Sequence, residues 1–173
     1  MNTSVLIPPE RTMQEITVHV PASNTVPYDL LKEKLNLLHA RGLMDAGLVL
    51  VQSHTSTSIL QGYISQPELE FGLSKLIPPS FPADLQVRLL GTPTNTDDGA
   101  QSLEVDLTPF VDRTPLSVCA AAPLEYAVEM FSKLGLRYLM VTEEGTGRLV
   151  GVVLKKRLVG FLEHLGEHGG DEE

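Results

Sequence analysis

The chain has 173 residues, 42% of them hydrophobic, which is enough apolar material to fill a core. Its 22 acidic residues against 13 basic leave a net charge of −9, and without a basic stripe neither a nucleic-acid backbone nor an anionic lipid surface is an expected partner. Cys119 is the one cysteine, so an intrachain disulfide is excluded and a reducing compartment is expected; within the small apolar stretch 118–122 it reads as a buried, inert thiol.

Residues 1–11 carry no period and read as an irregular lead-in, without the charged start and long apolar core of a signal peptide. Alternation predicts a strand at 16–20. Pro27 suits a first helical turn, and Leu30, Leu31, Leu35 and Leu38 recur at helical spacing, so a helix is predicted over 27–41. Lys32, Glu33, Lys34 and Arg41 would face water, and Gly42 would stop the helix. A strand at 48–51, a polar turn at 53–58, a strand at 59–65 and a helix at 67–76 follow.

The stretch 78–99 breaks the pattern with Pro78, Pro79, Pro82 and Pro93 and reads as a connector, interrupted by a short strand at 84–90 and ending in a hairpin or disordered tip. Periodicity then resumes. A helix over 123–134 carries Leu124, Ala127, Val128, Phe131 and Leu134 on one face; strands at 137–142 and 148–154 flank a turn at 143–147, and a helix covers 155–164. No apolar run reaches the roughly 18–20 residues that cross a bilayer, so no membrane insertion by these residues is expected.

The order helix, strand, turn, strand, helix therefore occurs twice. Pairing Gly62 with Gly151 gives an offset of 151 − 62 = 89, and pairing Leu48 with Tyr138 gives 138 − 48 = 90. One residue of turn length absorbs the difference, which argues for a duplicated unit. Neither copy can bury both faces of so small a sheet alone, so the two are expected to pack together, with any ligand in the cleft between them. The fold class is α/β (α+β), as two β-α-β-β-α repeats in a pseudo-twofold pair. The predicted boundaries are 12–77 for the first domain, 78–106 for a Pro-rich flexible linker, 107–165 for the second domain and 166–173 for a disordered tail.

Catalytic and metal readings find little support. His164 and His168 are four apart but straddle Gly166, and Glu143 and Glu144 occupy a solvent-facing turn where no pocket could tune them. The glycines Gly145, Gly147 and Gly151 have the wrong spacing for a dinucleotide loop and read as a hairpin turn.

The run Phe131-Ser132-Lys133-Leu134-Gly135-Leu136-Arg137 followed by the apolar strand 138–142 is distinctive, as are Asp112-Arg113-Thr114-Pro115-Leu116-Ser117-Val118 and Gly147-Arg148-Leu149-Val150-Gly151-Val152-Val153-Leu154-Lys155-Lys156. Over about 107–165 these closely resemble the second cystathionine-β-synthase-type (CBS) domain of eukaryotic CLC chloride channels and chloride/proton exchangers. Residues 12–76 resemble a CBS domain in the order of elements and in Gly62. The resemblance implies a regulatory module rather than an enzyme. It would lie at the cytoplasmic face of a plasma or intracellular membrane, as a carboxy-terminal piece of a longer CLC protein. Its partners would be the transmembrane part of that protein and a second copy, as a homodimer through the CBS domains. A CBS pair serving as nucleotide sensor of a soluble metabolic enzyme is the alternative.

In several members of that family the cleft between the copies takes an adenine nucleotide (ATP, ADP or AMP), with a carboxylate at the start of a copy's last helix anchoring the ribose. At the aligned positions this chain has Leu154, Lys155, Lys156 and Arg157 in the second copy, where arginine has donors but no acceptor for ribose hydroxyls. The first copy keeps Ser65-Gln66-Pro67-Glu68. Glu68 could meet a ribose, but Ser-x-x-Glu is also a capping box. The cleft residues implied are Ser65, Glu68, Leu136, Tyr138 and Lys155. The place of an aromatic base clamp falls near Met44 and Asp45, which are not aromatic. Nucleotide binding is therefore expected to be weak or absent.

Overall fold

The computed structural model describes residues 1–43, 46–54, 57–93 and 103–169. The chain divides into two compact units, one of Gln14–Thr114 and the other of Met1–Met13 together with Pro115–Glu173.

In the first unit β1 (Thr17–His19) lies parallel to β3 (Gly47–His54), and β3 pairs antiparallel with β4 (Thr57–Ser65), in the order β1-β3-β4. Helix α2 (Tyr28–Ala40) makes the crossover that a parallel pair requires, and α3 (Gln66–Leu76) follows β4. Leu31, Leu35 and Leu38 of α2 are buried as their spacing predicts, as are Leu48 and Leu50 of β3. Lys34 departs from the expected solvent face. It is half-buried and donates through Nζ to the carbonyls of Gln14 (3.0 Å) and Glu15 (3.3 Å), in the last turn of α1 (Glu10–Ile16). Burial lowers its pKa from the ordinary lysine value, with Glu15 and Glu33 acting in the opposite sense.

The second unit repeats this topology. Its β7 (Ser117–Cys119) is parallel to β8 (Tyr138–Thr142), which pairs antiparallel with β9 (Leu149–Leu154) in the order β7-β8-β9. Helix α4 (Leu124–Leu134) is the crossover and α5 (Lys155–Gly169) follows β9. Leu124, Ala127, Phe131, Leu139, Val141, Val153 and Leu158 form one core, while Leu134 at the end of α4 is 58% exposed instead of facing inward. Helix α4 ends on Gly135 at φ 61°, a left-handed conformation that costs glycine little.

The duplication extends to a defect in the ladder. Leu50 faces Gly62 and then Val51 faces Leu60; likewise Val141 faces Gly151 and then Thr142 faces Leu149. Each copy thus skips one residue directly beside its glycine, the signature of a bulge at the same place.

Three expectations change. The lead-in 1–11 is not irregular: a 3-10 turn covers Thr3–Leu6, capped by Asn2, and α1 begins at Glu10 directly after Pro8 and Pro9. Four-residue turns show no hydrophobic period, so the pattern was invisible. The predicted first helix starts one residue late because Thr25–Pro27 form β2, and the last helix runs on to Gly169, through Gly166, where a Cβ would meet nothing within 4 Å. Residues 170–173 of the expected tail, and the expected hairpin or tip at 94–99, lie outside the described residues.

In 78–106, where composition reads as a connector, β5 (Gln86–Arg88) and β6 (Glu104–Asp106) join β2 in a second sheet of the first unit, in the order β2-β5-β6. Leu85, Val87, Leu89, Leu90, Val105 and Leu107 are buried there. Prolines at 78, 79, 82 and 93 flank β5 rather than interrupt it, as edge and turn positions allow.

Candidate functional site

Tyr138 pairs with Leu154, and the amide of Lys155 donates to the Arg137 carbonyl at 2.9 Å. These links bring Leu136, Tyr138 and Lys155 together at one end of the β7-β8-β9 sheet, where α5 begins. Leu136 leans on the core, Tyr138 is half-buried and Lys155 is exposed. Apolar side chains and an ammonium group occur side by side here, while the Lys155 amide is already committed to Arg137.

Arg157, two residues on, is committed elsewhere. Its Nε donates to the Leu6 carbonyl (3.1 Å) and its Nη2 to the Ile7 carbonyl (3.4 Å), closing the C-terminal end of the 3-10 turn Thr3–Leu6. The guanidinium offers donors but no acceptor, and its Nε and Nη2 are engaged by the two carbonyls. Sequence reasoning identified the missing acceptor but not this contact, because its partners lie 151 and 150 positions away.

Ser65 and Glu68 belong to the first unit. Ser65 is the N-cap of α3, and its hydroxyl accepts from the Glu68 amide at 3.4 Å, which is one half of the capping box. The Glu68 carboxylate is exposed at the first turn of α3, where the helix dipole favours its negative charge. It remains chemically able to accept from a ribose. Met44 and Asp45, at the expected base-clamp position, lie outside the described residues.

Two further clusters escaped the sequence. Arg88 is 7% exposed; its Nη2 meets Glu104 at 2.8 Å and its Nη1 donates to the Leu90 carbonyl at 3.2 Å, while its Nε is buried without a hydrogen-bond partner. Nearby, Asn24 at φ 66° accepts from Gln52 Nε2 at 2.7 Å and takes the amides of Leu89 and Leu90 on its carbonyl. Tyr63 is buried, which pushes its hydroxyl above the ordinary tyrosine range. The turn 143–147 is a hairpin with Gly145 and Gly147 at positive φ, and Arg148, hydrogen-bonded to Glu143, holds that carboxyl below its ordinary value. Among the described residues no three or more His, Cys, Asp or Glu side chains could hold a metal, and no helix is long and apolar enough to cross a membrane.

No family model matches the chain. A putative acetoin utilization protein (AcuB) from Vibrio cholerae superposes with a TM-score of 0.59 at 16% identity, over 100% of this chain and 98% of that one. A CBS domain protein from Pyrobaculum aerophilum, complexed with AMP, gives a TM-score of 0.54 at 17% identity, over 96% of this chain and 99% of the other. The fold is that of a CBS-domain pair. Among curated proteins, the human H(+)/Cl(−) exchange transporter 3 is 38% identical over 61 residues, 35% of this chain and 7% of the relative. The H(+)/Cl(−) exchange transporter 5 of Cavia porcellus is 34% identical over 62 residues, 36% of this chain and 8% of the relative. The matched stretch is thus a small part of each exchanger.

Proposed function

We propose that the chain is the cytoplasmic regulatory CBS pair of a CLC-type chloride channel or chloride/proton exchanger. It contributes to gating and to dimer formation and has no reaction centre of its own. The observation that carries this reading is the concurrence of two independent likenesses: the whole chain has the CBS-pair fold, and about one copy's length matches H(+)/Cl(−) exchangers at 34–38% identity. Its partners are then the transmembrane part of the same protein and a second copy of itself, at the cytoplasmic face of the membrane. The exchanger relatives favour this reading over a nucleotide sensor on a soluble metabolic enzyme.

Adenine nucleotides bind this module weakly or not at all. The Pyrobaculum neighbour was crystallised with AMP, but here Arg157 replaces an acceptor by donors and Ser65 is engaged in capping. Calorimetry with ATP, ADP and AMP tests this: a dissociation constant of about tens of micromolar or tighter for any of them overturns it. The gating role is tested by deleting these residues from the full-length protein and recording chloride currents; unchanged amplitude, voltage dependence and surface expression would refute it.

A further inference from the structure

The second copy is not completed by its own contiguous sequence. Leu6 is fully buried within the core built from β7, α4, β8, β9 and α5. Thr3, also fully buried, donates its amide and its hydroxyl to the Ala122 carbonyl at 2.9 Å each. The Leu124 amide donates to the Met1 carbonyl at 3.2 Å, and Asn2 forms an isolated bridge with Pro123, so the chain start covers the entry to α4. Ile7 lies on the bulge glycine of β9: a Cβ at Gly151 would fall 2.6 Å from Ile7 Cγ2. Arg157 then closes the far end of the segment through the carbonyls of Leu6 and Ile7. Immediately after, Pro8 and Pro9 interrupt the amide ladder and α1 leads to Gln14 and the other unit.

We propose that residues 2–7 are a strap and that Arg157 is its latch, so that displacing the chain before α1 acts on the second copy and leaves the first copy undisturbed. Two features make this a latch rather than ordinary packing. Arg157 sits in the first turn of α5, where the helix dipole disfavours a cation, and the two carbonyls of the strap are what offset that cost. It is also exposed, so its grip responds to the surroundings in a way that the buried Leu6 cannot. The proposal goes beyond the functional reading above and stands whether or not the module belongs to a CLC protein.

Hydrogen exchange on the full chain tests it, comparing Arg157→Ala and Arg157→Lys with the parent. In Arg157→Ala the amides of Thr3, Ile7 and Leu124 exchange about tenfold faster or more, since two charge-assisted bonds are lost. The amides of β8 and β9 accelerate by a smaller factor. The amides of Val20 and Tyr63, which hold the first copy's sheet through Val51 and Asp112, do not change. Arg157→Lys, with one point charge for two carbonyls, falls between. Thr3 and Leu124 staying as protected as in the parent, or Val20 and Tyr63 accelerating equally, overturns the proposal. Should Arg157→Ala fail to fold, the same comparison is read from Arg157→Lys.

Discussion

Gly62 offers a sharp test of the repeated bulge. Its backbone is ordinary, but an added methyl would lie 2.9 Å from the Asp112 carbonyl oxygen and 2.9 Å from Val111 Cγ1. That carbonyl cannot simply retreat: Tyr63 and Asp112 exchange two backbone hydrogen bonds, of 2.9 and 2.8 Å. Overpacking a fitted site costs about 1–3 kcal/mol, and loosening the Tyr63–Asp112 bridge adds about 1 kcal/mol. Alanine restricts the unfolded chain relative to glycine, which offsets roughly 0.4–1 kcal/mol. Gly62→Ala should therefore destabilise by about 2 kcal/mol. With a urea m-value of about 2 kcal/mol/M, the unfolding midpoint falls by about 1 M. The companion Gly151→Ala meets first the Ile7 side chain, at 2.6 Å from Cγ2 and 2.9 Å from Cγ1, so pairing it with Ile7→Ala should recover much of its loss. Gly62→Ala with Val111→Ala should not recover, because the Asp112 oxygen is still in the way. Urea titrations followed by circular dichroism measure all four. A Gly62→Ala cost below about 0.5 kcal/mol, the usual spread of an innocuous surface change, would refute the reasoning.

Leu6→Ala empties a fully buried position and should cost about 2–5 kcal/mol, with hydrogen exchange showing the loss in β8 and β9 before β3 and β4. Glu104→Ala strands the buried Arg88 and should cost about 3–5 kcal/mol, whereas Arg88→Met with Glu104→Leu, which removes the unpartnered Nε as well, should be near neutral in thermal denaturation. Lys34 has a folded pKa below its unfolded value of 10.5. The unfolded chain therefore holds more protons in that window, and the lysine's contribution to stability rises as pH climbs from the lowered pKa towards 10.5. Lys34→Met should remove this rise from a pH series of urea midpoints.

The sequence by itself determined the duplicated β-α-β-β-α order, because the leucine stripe of α2, the apolar face of α4 and the paired glycines 62 and 151 are local patterns with a period. It also exposed the absent acceptor at Arg157, since a donor-only side chain is a property of residue type. Tertiary structure alone decided what Arg157 does instead, why Gly62 and Gly151 must lack a side chain, and that the strand expected within 78–106 joins β2 and β6 in a sheet. Each of those facts depends on a partner far away in the chain: Leu6 and Ile7 for Arg157, Val111 and Asp112 for Gly62, β2 for β5. Short segments such as Thr3–Leu6 and Thr25–Pro27 hold too few residues to display a period, and their conformation is stabilised by burial against elements that no local window contains.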